Sequence, residues 1–148
     1  MASKATRPLE SNADIVRALW ETGTYGDYSL VDQYVADDYV EHSAFESEPI
    51  RGRDGFRANI EEMRAAFSDI DLTIEDIFAA GDEVALRWRL NAKHTGDLRG
   101  IAPTNKPVEI SGIEIDRFED GKVVEAWNQF DSLGMLQQMG ALPDEMGS

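Results

Sequence analysis

Chemistry has few places to reside in this chain. It holds two histidines, His42 and His94, and no cysteine, which excludes thiolate nucleophiles, thiolate metal sites and disulfides. No His-x-His or His-Glu-x-x-His spacing occurs, so no metal site is expected, and nucleophile elbows and Gly-rich phosphate loops are absent too. What remains is a set of carboxylates and imidazoles among aromatic side chains, the equipment of general acid–base chemistry in an apolar pocket. Asp131 stands out by position: it closes a strand-like run, shares a face with Trp127 and precedes a helical segment. It is either a helix cap or an inward-facing base, and Ser132 offers an alternative cap that would free it. His94 continues an apolar face, as a satisfied buried imidazole or as a polar group of a pocket, and His42 stands where a loop begins. Trp20, Trp88 and Trp127 are core residues or ligand platforms. Asn59 and Met63 lie on one helix, and Arg117 shares the face of Asp131.

The elements that must position these groups follow from periodicity. Ser11-x-x-Asp14 opens a helix through about Thr22 with Ile15, Val16, Leu19 and Trp20 inward. Ser29-x-x-Asp32 predicts a short second helix, and residues 39–43 a brief strand or extended turn. Asp54 caps a helix carrying Phe56, Ile60, Met63 and Phe67 on one face. The period then changes to two. Ile70, Leu72 and Ile74 alternate with polar residues; Val84, Leu86, Trp88, Leu90, Ala92 and His94 share the inner face of a long strand. Another strand begins at Val108, with a bulge expected at Ser111-Gly112.

The closing hairpin around Asp120-Gly121 admits two registers. A two-residue primed turn opposes Phe118 to Val123 and puts Glu114 and Asp116 with Trp127 and Asp131. A type I turn with left-handed Gly121 opposes Phe118 to Lys122 and groups Ile113, Ile115 and Arg117 with Glu125, Trp127, Gln129 and Asp131. We take the second, because the first crowds unpartnered carboxylates onto the inner face. The expected fold is α+β: one domain over residues 1–148, with flexible tails at 1–10 and 143–148. A curved antiparallel sheet wraps the N-terminal helices into a cone with an internal pocket. Trp88, His94, Trp127 and Asp131 then face inward. Val124, Ala126 and Phe130 face outward beside Arg87, Arg89, Glu114 and Asp116, and predict a homodimer through the convex sheet face.

Asp and Glu number 29 against 14 Lys and Arg, a net charge of −15, so nucleic acid is not an expected partner. This acidic surface fits either a high-salt cytoplasm or an acidic mesophilic protein. No apolar run reaches membrane-spanning length and the N-terminus lacks an apolar signal core, so a cytoplasmic location without membrane partners is expected.

With these residues assembled, the chain resembles the SnoaL-like polyketide cyclase (ester cyclase) family of the nuclear transport factor 2-like superfamily. The matching stretches are Glu41-His42-Ser43, Gly52-Arg-Asp-Gly55, the run from His94 to Lys106, Arg117-Phe-Glu-Asp-Gly-Lys-Val-Val-Glu-Ala-Trp127 with Asp131, and Leu136-Gln-Gln-Met-Gly140. The resemblance implies an α+β barrel and an acid/base aspartate after the Trp-containing strand for intramolecular aldol ring closure, matched here by Asp131. It also implies a polar pocket histidine or asparagine, matched by His94, His42 or Asn59. No cofactor and a small apolar carbonyl substrate are expected. Two alternatives stay open. One is an epoxide-hydrolase-like enzyme, which needs a second inward carboxylate (Glu125) with Arg117; the other is a ligand-binding module without turnover.

Overall fold

The computed structural model describes residues 9–142; the expected tails fall outside these, apart from Leu9 and Glu10. Helix α1 (Asn12–Gly23) opens where its capping pattern predicts, with the Asp14 N–H donating to Ser11 Oγ at 3.1 Å. Its apolar stripe buries Ile15, Val16 and Leu19. The second helix, α2 (Val31–Tyr34), is a single turn; Ser29 does not cap it and instead donates its N–H to Asp27 Oδ1. Strands β1 (Val35–Ser43) and β2 (Ile50–Arg51) follow, then helix α3 (Gly52–Ala66). Gly52 has φ +72°, a left-handed turn from strand into helix that suits glycine, and Asp54 lies in the first turn without capping it.

The meander comprises β3 (Phe67–Ala80), β4 (Glu83–His94), β5 (Pro107–Glu119) and β6 (Lys122–Phe130), with α4 (Ser132–Gln138) closing the chain. One curved, open six-stranded sheet has the order β2-β1-β6-β5-β4-β3. The predicted brief strand is nine residues long and runs parallel to β6, with Glu41 opposite Ala126 and His42 opposite Trp127. Helices α1 and α3 pack on the inner face. Among the described residues, no helix is long and apolar enough to cross a membrane.

The β4 alternation is as expected: Val84, Leu86, Trp88, Leu90, Ala92 and His94 are all buried. Against β4, strand β5 runs without a shift from Arg117 to Pro107, so the bulge expected at Ser111-Gly112 is absent. Even-numbered β5 residues therefore stay inward throughout: Val108, Ile110, Glu114, Asp116 and Phe118 are buried. At Gly112 a Cβ would sit 2.7 Å from Trp88 Cζ2, so glycine makes room there for the indole.

The hairpin corrects the register taken from sequence. Asp120 and Gly121 have φ of 51° and 78°, the backbone of a two-residue primed turn, and Phe118 opposes Val123. The shift falls at the next pair, where Arg117 meets Glu125, followed by Ile115 with Trp127 and Ile113 with Gln129. The expected grouping of those side chains holds, but on the outer face. Ile113, Ile115 and Trp127 are 55%, 38% and 37% exposed, whereas Ala126 is fully buried and Phe130 turns inward. The apolar strip on the convex side is thus made of other residues than the predicted Val124, Ala126 and Phe130. Arg87 and Arg89 pair there with Asp76 and Glu75, at 2.8 and 2.7 Å, and not with Glu114 or Asp116.

Candidate functional site

The inner face of β1, β6, β5 and β4 carries two rows of side chains. One row runs Glu41, Ala126, Asp116, Val84; the next runs Ser43, Asn128, Glu114, Leu86. Glu41 and Asp116 therefore flank a single alanine, whose methyl leaves the space between them open. Glu114 lies two residues from Asp116 on the same strand and hence on the same face. Three carboxyls, each less than a tenth exposed, meet under α1 and α3.

Each carboxyl has a different surrounding. The buried Tyr39 hydroxyl donates to Glu41 Oε1 at 2.7 Å. Trp20 Nε1 donates to Glu114 Oε2 at 3.3 Å. Asp116 Oδ2 is buried without a partner. Burial drives all three toward their protonated forms, because an ionised carboxylate loses its water there. Glu114 is pushed well above the usual carboxyl range by burial, then by the charges of Asp116 and Glu41. Burial also raises Asp116, to about 7, while a hydrogen bond from Glu114 pulls the other way. That is the pattern of a carboxyl pair sharing one proton, with Glu114 as its holder. Tyr39 is held as a neutral phenol, first by burial and then by Glu41.

Above this floor is a cavity of about 190 Å³. Its walls are Trp20 from α1, Phe56, Asn59 and Met63 from α3, and Trp88 and Phe130 from the sheet. Trp20 and Trp88 rings lie 5.4 Å apart, Trp88 and Phe130 6.2 Å, and Phe130 and Phe45 5.9 Å, an almost continuous aromatic wall. Trp88 Nε1 donates to Asn128 Oδ1 at 3.3 Å, which leaves the Asn128 amide N–H groups for a ligand. At the mouth, Arg99 donates to Glu62 at 3.0 Å, to Phe45 O at 2.8 Å and to Glu46, joining three segments.

Of the residues expected from sequence, Trp20, Asn59, Met63 and Trp88 line this cavity. His94 does not. It is fully buried beside Phe67, and its Nδ1 takes the Thr104 N–H at 3.2 Å, which assigns the ring proton to Nε2, itself without a partner. Arg117 and Trp127 lie on the outer face because odd-numbered β5 residues, and odd-numbered β6 residues beyond the register shift, point there; His42 joins them as the β1 partner of Trp127. His42 stacks on Trp127 at 5.7 Å and meets Glu125 Oε2 at 2.8 Å. Asp131 is exposed and caps α4, accepting the Gly134 N–H at 2.9 Å. Its expected inward placement is corrected: the strand ends before it, and its carboxylate turns onto the helix N-terminus. Glu125, sought as a second inward carboxylate, faces outward as well. Arg117 does bridge two carboxylates, Glu119 at 2.6 Å and Glu125 at 3.2 Å, but on the open surface.

Glu41, Glu114, Asp116, Tyr39 and Asn128 escaped the sequence reading. A signal was present: Val108, Ile110 and Phe118 are apolar at even positions of one strand, which carries Glu114 and Asp116 inward if no bulge intervenes. Among the described residues, no three His, Asp or Glu side chains are grouped to hold a metal ion.

The SnoaL-like polyketide cyclase family model matches residues 13–139. Aklanonic acid methyl ester cyclase AcmA of Streptomyces galilaeus is 28% identical over 127 residues, covering 84% of this chain and 88% of that protein. Nogalonic acid methyl ester cyclase of Streptomyces nogalater is 29% identical over 120 residues, covering 79% and 89% respectively. The crystal structure of wild-type IdmH from Streptomyces antibioticus superposes with a TM-score of 0.76 at 30% identity, covering 88% of this chain and 99% of that one. With the family match spanning nearly the whole described chain, this protein belongs to the SnoaL-like polyketide cyclase family.

Proposed function

We propose that the protein catalyses cofactor-independent proton transfer and ring closure on a small, flat, uncharged carbonyl compound, with Asp116 as base and Glu114 as acid. The observation that carries this is the buried carboxyl pair facing an aromatic cavity. Ionised Asp116 removes a proton α to a carbonyl, and the electron pair moves onto the carbonyl oxygen. An Asn128 N–H stabilises that enolate oxygen. The enolate carbon attacks a ketone carbon of the same molecule, and the Glu114 carboxyl protonates the new alkoxide. The proton on Asp116 then returns to Glu114, restoring the starting state. Two carboxyls held apart in proton affinity are what one acid and one base require at neutral pH.

A cavity of about 190 Å³ is smaller than the roughly 300–1,000 Å³ of drug-sized ligand sites, which favours substrates of one or two rings. Methyl esters are apt, since a free carboxylate would meet three acidic side chains, and two relatives are named for methyl ester substrates. The test is a series of aromatic β-keto methyl esters of increasing size, read by deuterium exchange at the α-carbon and by ring closure. Wild type is expected to turn over and Asp116→Asn to lose about 10³-fold. Wild-type rates in Asp116→Asn defeat the assignment; tight binding with no exchange in wild type identifies a binding module.

We also propose that Ile113, Ile115 and Trp127 form a homodimer contact on the convex face, since such an exposed apolar strip mid-sheet is the kind of patch a second copy covers.

A further inference from the structure

An aldol closure needs one base and one acid, yet the cavity floor holds three buried carboxyls. Glu41 has no part in the steps above. It is 5% exposed, lines the same cavity and faces Asp116 across Ala126. Burying a third carboxyl is costly without a role for it. We infer that Glu41 is a positioning residue that keeps one proton resident on the Glu114–Asp116 pair. The inference rests on the acid–base reading of that pair and assigns its regulation to a residue on a different strand.

The geometry supplies the means. Glu41 and Asp116 share Ala126 as their neighbour on β6, so their backbones are two strand spacings apart, about 10 Å, and their side chains point the same way. Little shields them from one another, because the side chain between them is a methyl group. The Tyr39 hydroxyl donates to Glu41 and, being a neutral phenol, favours the charged form of Glu41 without cancelling its charge. Asp116 takes a hydrogen bond from Glu114, the other member of the pair, and has no donor on Oδ2. Charge therefore settles more readily on Glu41, and that charge disfavours a second ionisation nearby.

The groups facing this cluster are few. From β5 come Glu114 and Asp116; from β1 come Tyr39 and Glu41, with His42 acting on Glu41 from the outer face and Glu46 from the loop after β1. Helix α1 contributes the neutral Trp20 N–H, while β6 and β4 contribute Ala126 and Val84. Among the described residues the cation lining the cavity is Arg99, which is engaged at the mouth by Glu46 and Glu62. The pair thus has no internal cation to discharge it, and its proton count answers to Glu41. The direction found for Asp116, which the charge of Glu41 raises, agrees with this.

Carbon-detected NMR of side-chain carboxyls in the wild-type protein tests the inference without any substrate. Glu41 is expected to lose its proton at lower pH than Asp116. In Glu41→Gln, which keeps an acceptor for Tyr39 but removes the charge, the Asp116 midpoint is expected to fall by about one pH unit. Tyr39→Phe deprives Glu41 of its donor and is expected to move Asp116 in the same direction by less. A purely structural Glu41 would change thermal stability and leave the Asp116 midpoint in place. An unmoved midpoint in Glu41→Gln, or a wild-type Glu41 still protonated after Asp116 has ionised, overturns the inference. Turnover that survives in Asp116→Asn would instead defeat the proposed chemistry and leave this coupling standing, so the two failures are distinguishable.

Discussion

Asp116 and Glu125 sit on adjacent strands of one hairpin and have opposite fates. Asp116 faces inward among aromatic side chains, and burial pushes it up to about 7. Glu125 faces outward, where a hydrogen bond from His42 and then one from Arg117 hold it below its ordinary value. The outer face keeps its carboxylates charged by pairing them; the inner face keeps its carboxyls by letting them hold protons. Meanwhile Ile113 and Ile115, two apolar residues of the strand that carries Asp116, are left in water. Polarity alone is thus a poor guide to which side of a sheet is inside. A carboxyl that can neutralise itself removes most of the penalty that argues against its burial.

The largest effect expected from this contrast is catalytic. Asp116→Asn should lower turnover about 10³-fold, whereas Glu125→Gln, on the other face of the hairpin, should stay within about twofold of wild type. Steady-state rates on a β-keto ester compare the two directly. Equal losses in both variants would dissolve the distinction between the faces.

Stability should respond to pH in the direction that the inner carboxyls dictate. The folded protein holds the Asp116 proton up to about pH 7, while the unfolded chain releases it near 3.8, so between these values the native state binds more protons. Stability is then fully present below about pH 4 and declines as pH rises through about 7, by about 4 kcal/mol at most for this one group. Glu114 and Glu41 are raised too and act with the same sign. Urea melts across this range should show Asp116→Asn gaining on wild type as pH rises, with the gap closing in acid. A gap that widens toward low pH would mean the carboxyl is ionised and stabilising in the fold.

On the outer face, Ile115→Lys should weaken self-association by at least about tenfold, a loss of roughly 1.4 kcal/mol, as read by sedimentation across protein concentrations. With a net charge of −15 per chain, added salt should strengthen the wild-type dimer by screening. A wild type that sediments as a monomer at every salt concentration removes this surface from consideration. The smallest effect belongs to Asp131→Ala, which should cost about 1 kcal/mol through loss of the α4 cap and leave turnover unchanged. A large loss of turnover there would return the acid–base role to the strand end.

Sequence by itself determined much of the scaffold. The Ser11 cap, the α3 stripe, the alternation of β4 and the α+β order of elements are local properties, written in spacing and propensity over a few residues. A period of two settles which side chains travel together within each strand. The same-face grouping of Ile113, Ile115 and Arg117 with Glu125 and Trp127, however, arises from a primed turn and a shift at Arg117, not from the turn taken from sequence. Nor does the period settle which group faces in. That depended on whether β5 stayed in step with β4 through Ser111 and Gly112 and on a shift at Arg117, both of which are set by pairing with other strands. The parallel pairing of β1 with β6 is a long-range event of the same kind, and it brought Glu41 to Ala126 and so to Asp116. Only the tertiary structure could decide the candidate site, because its carboxyls come from strands far apart in the chain and tolerate burial by holding protons.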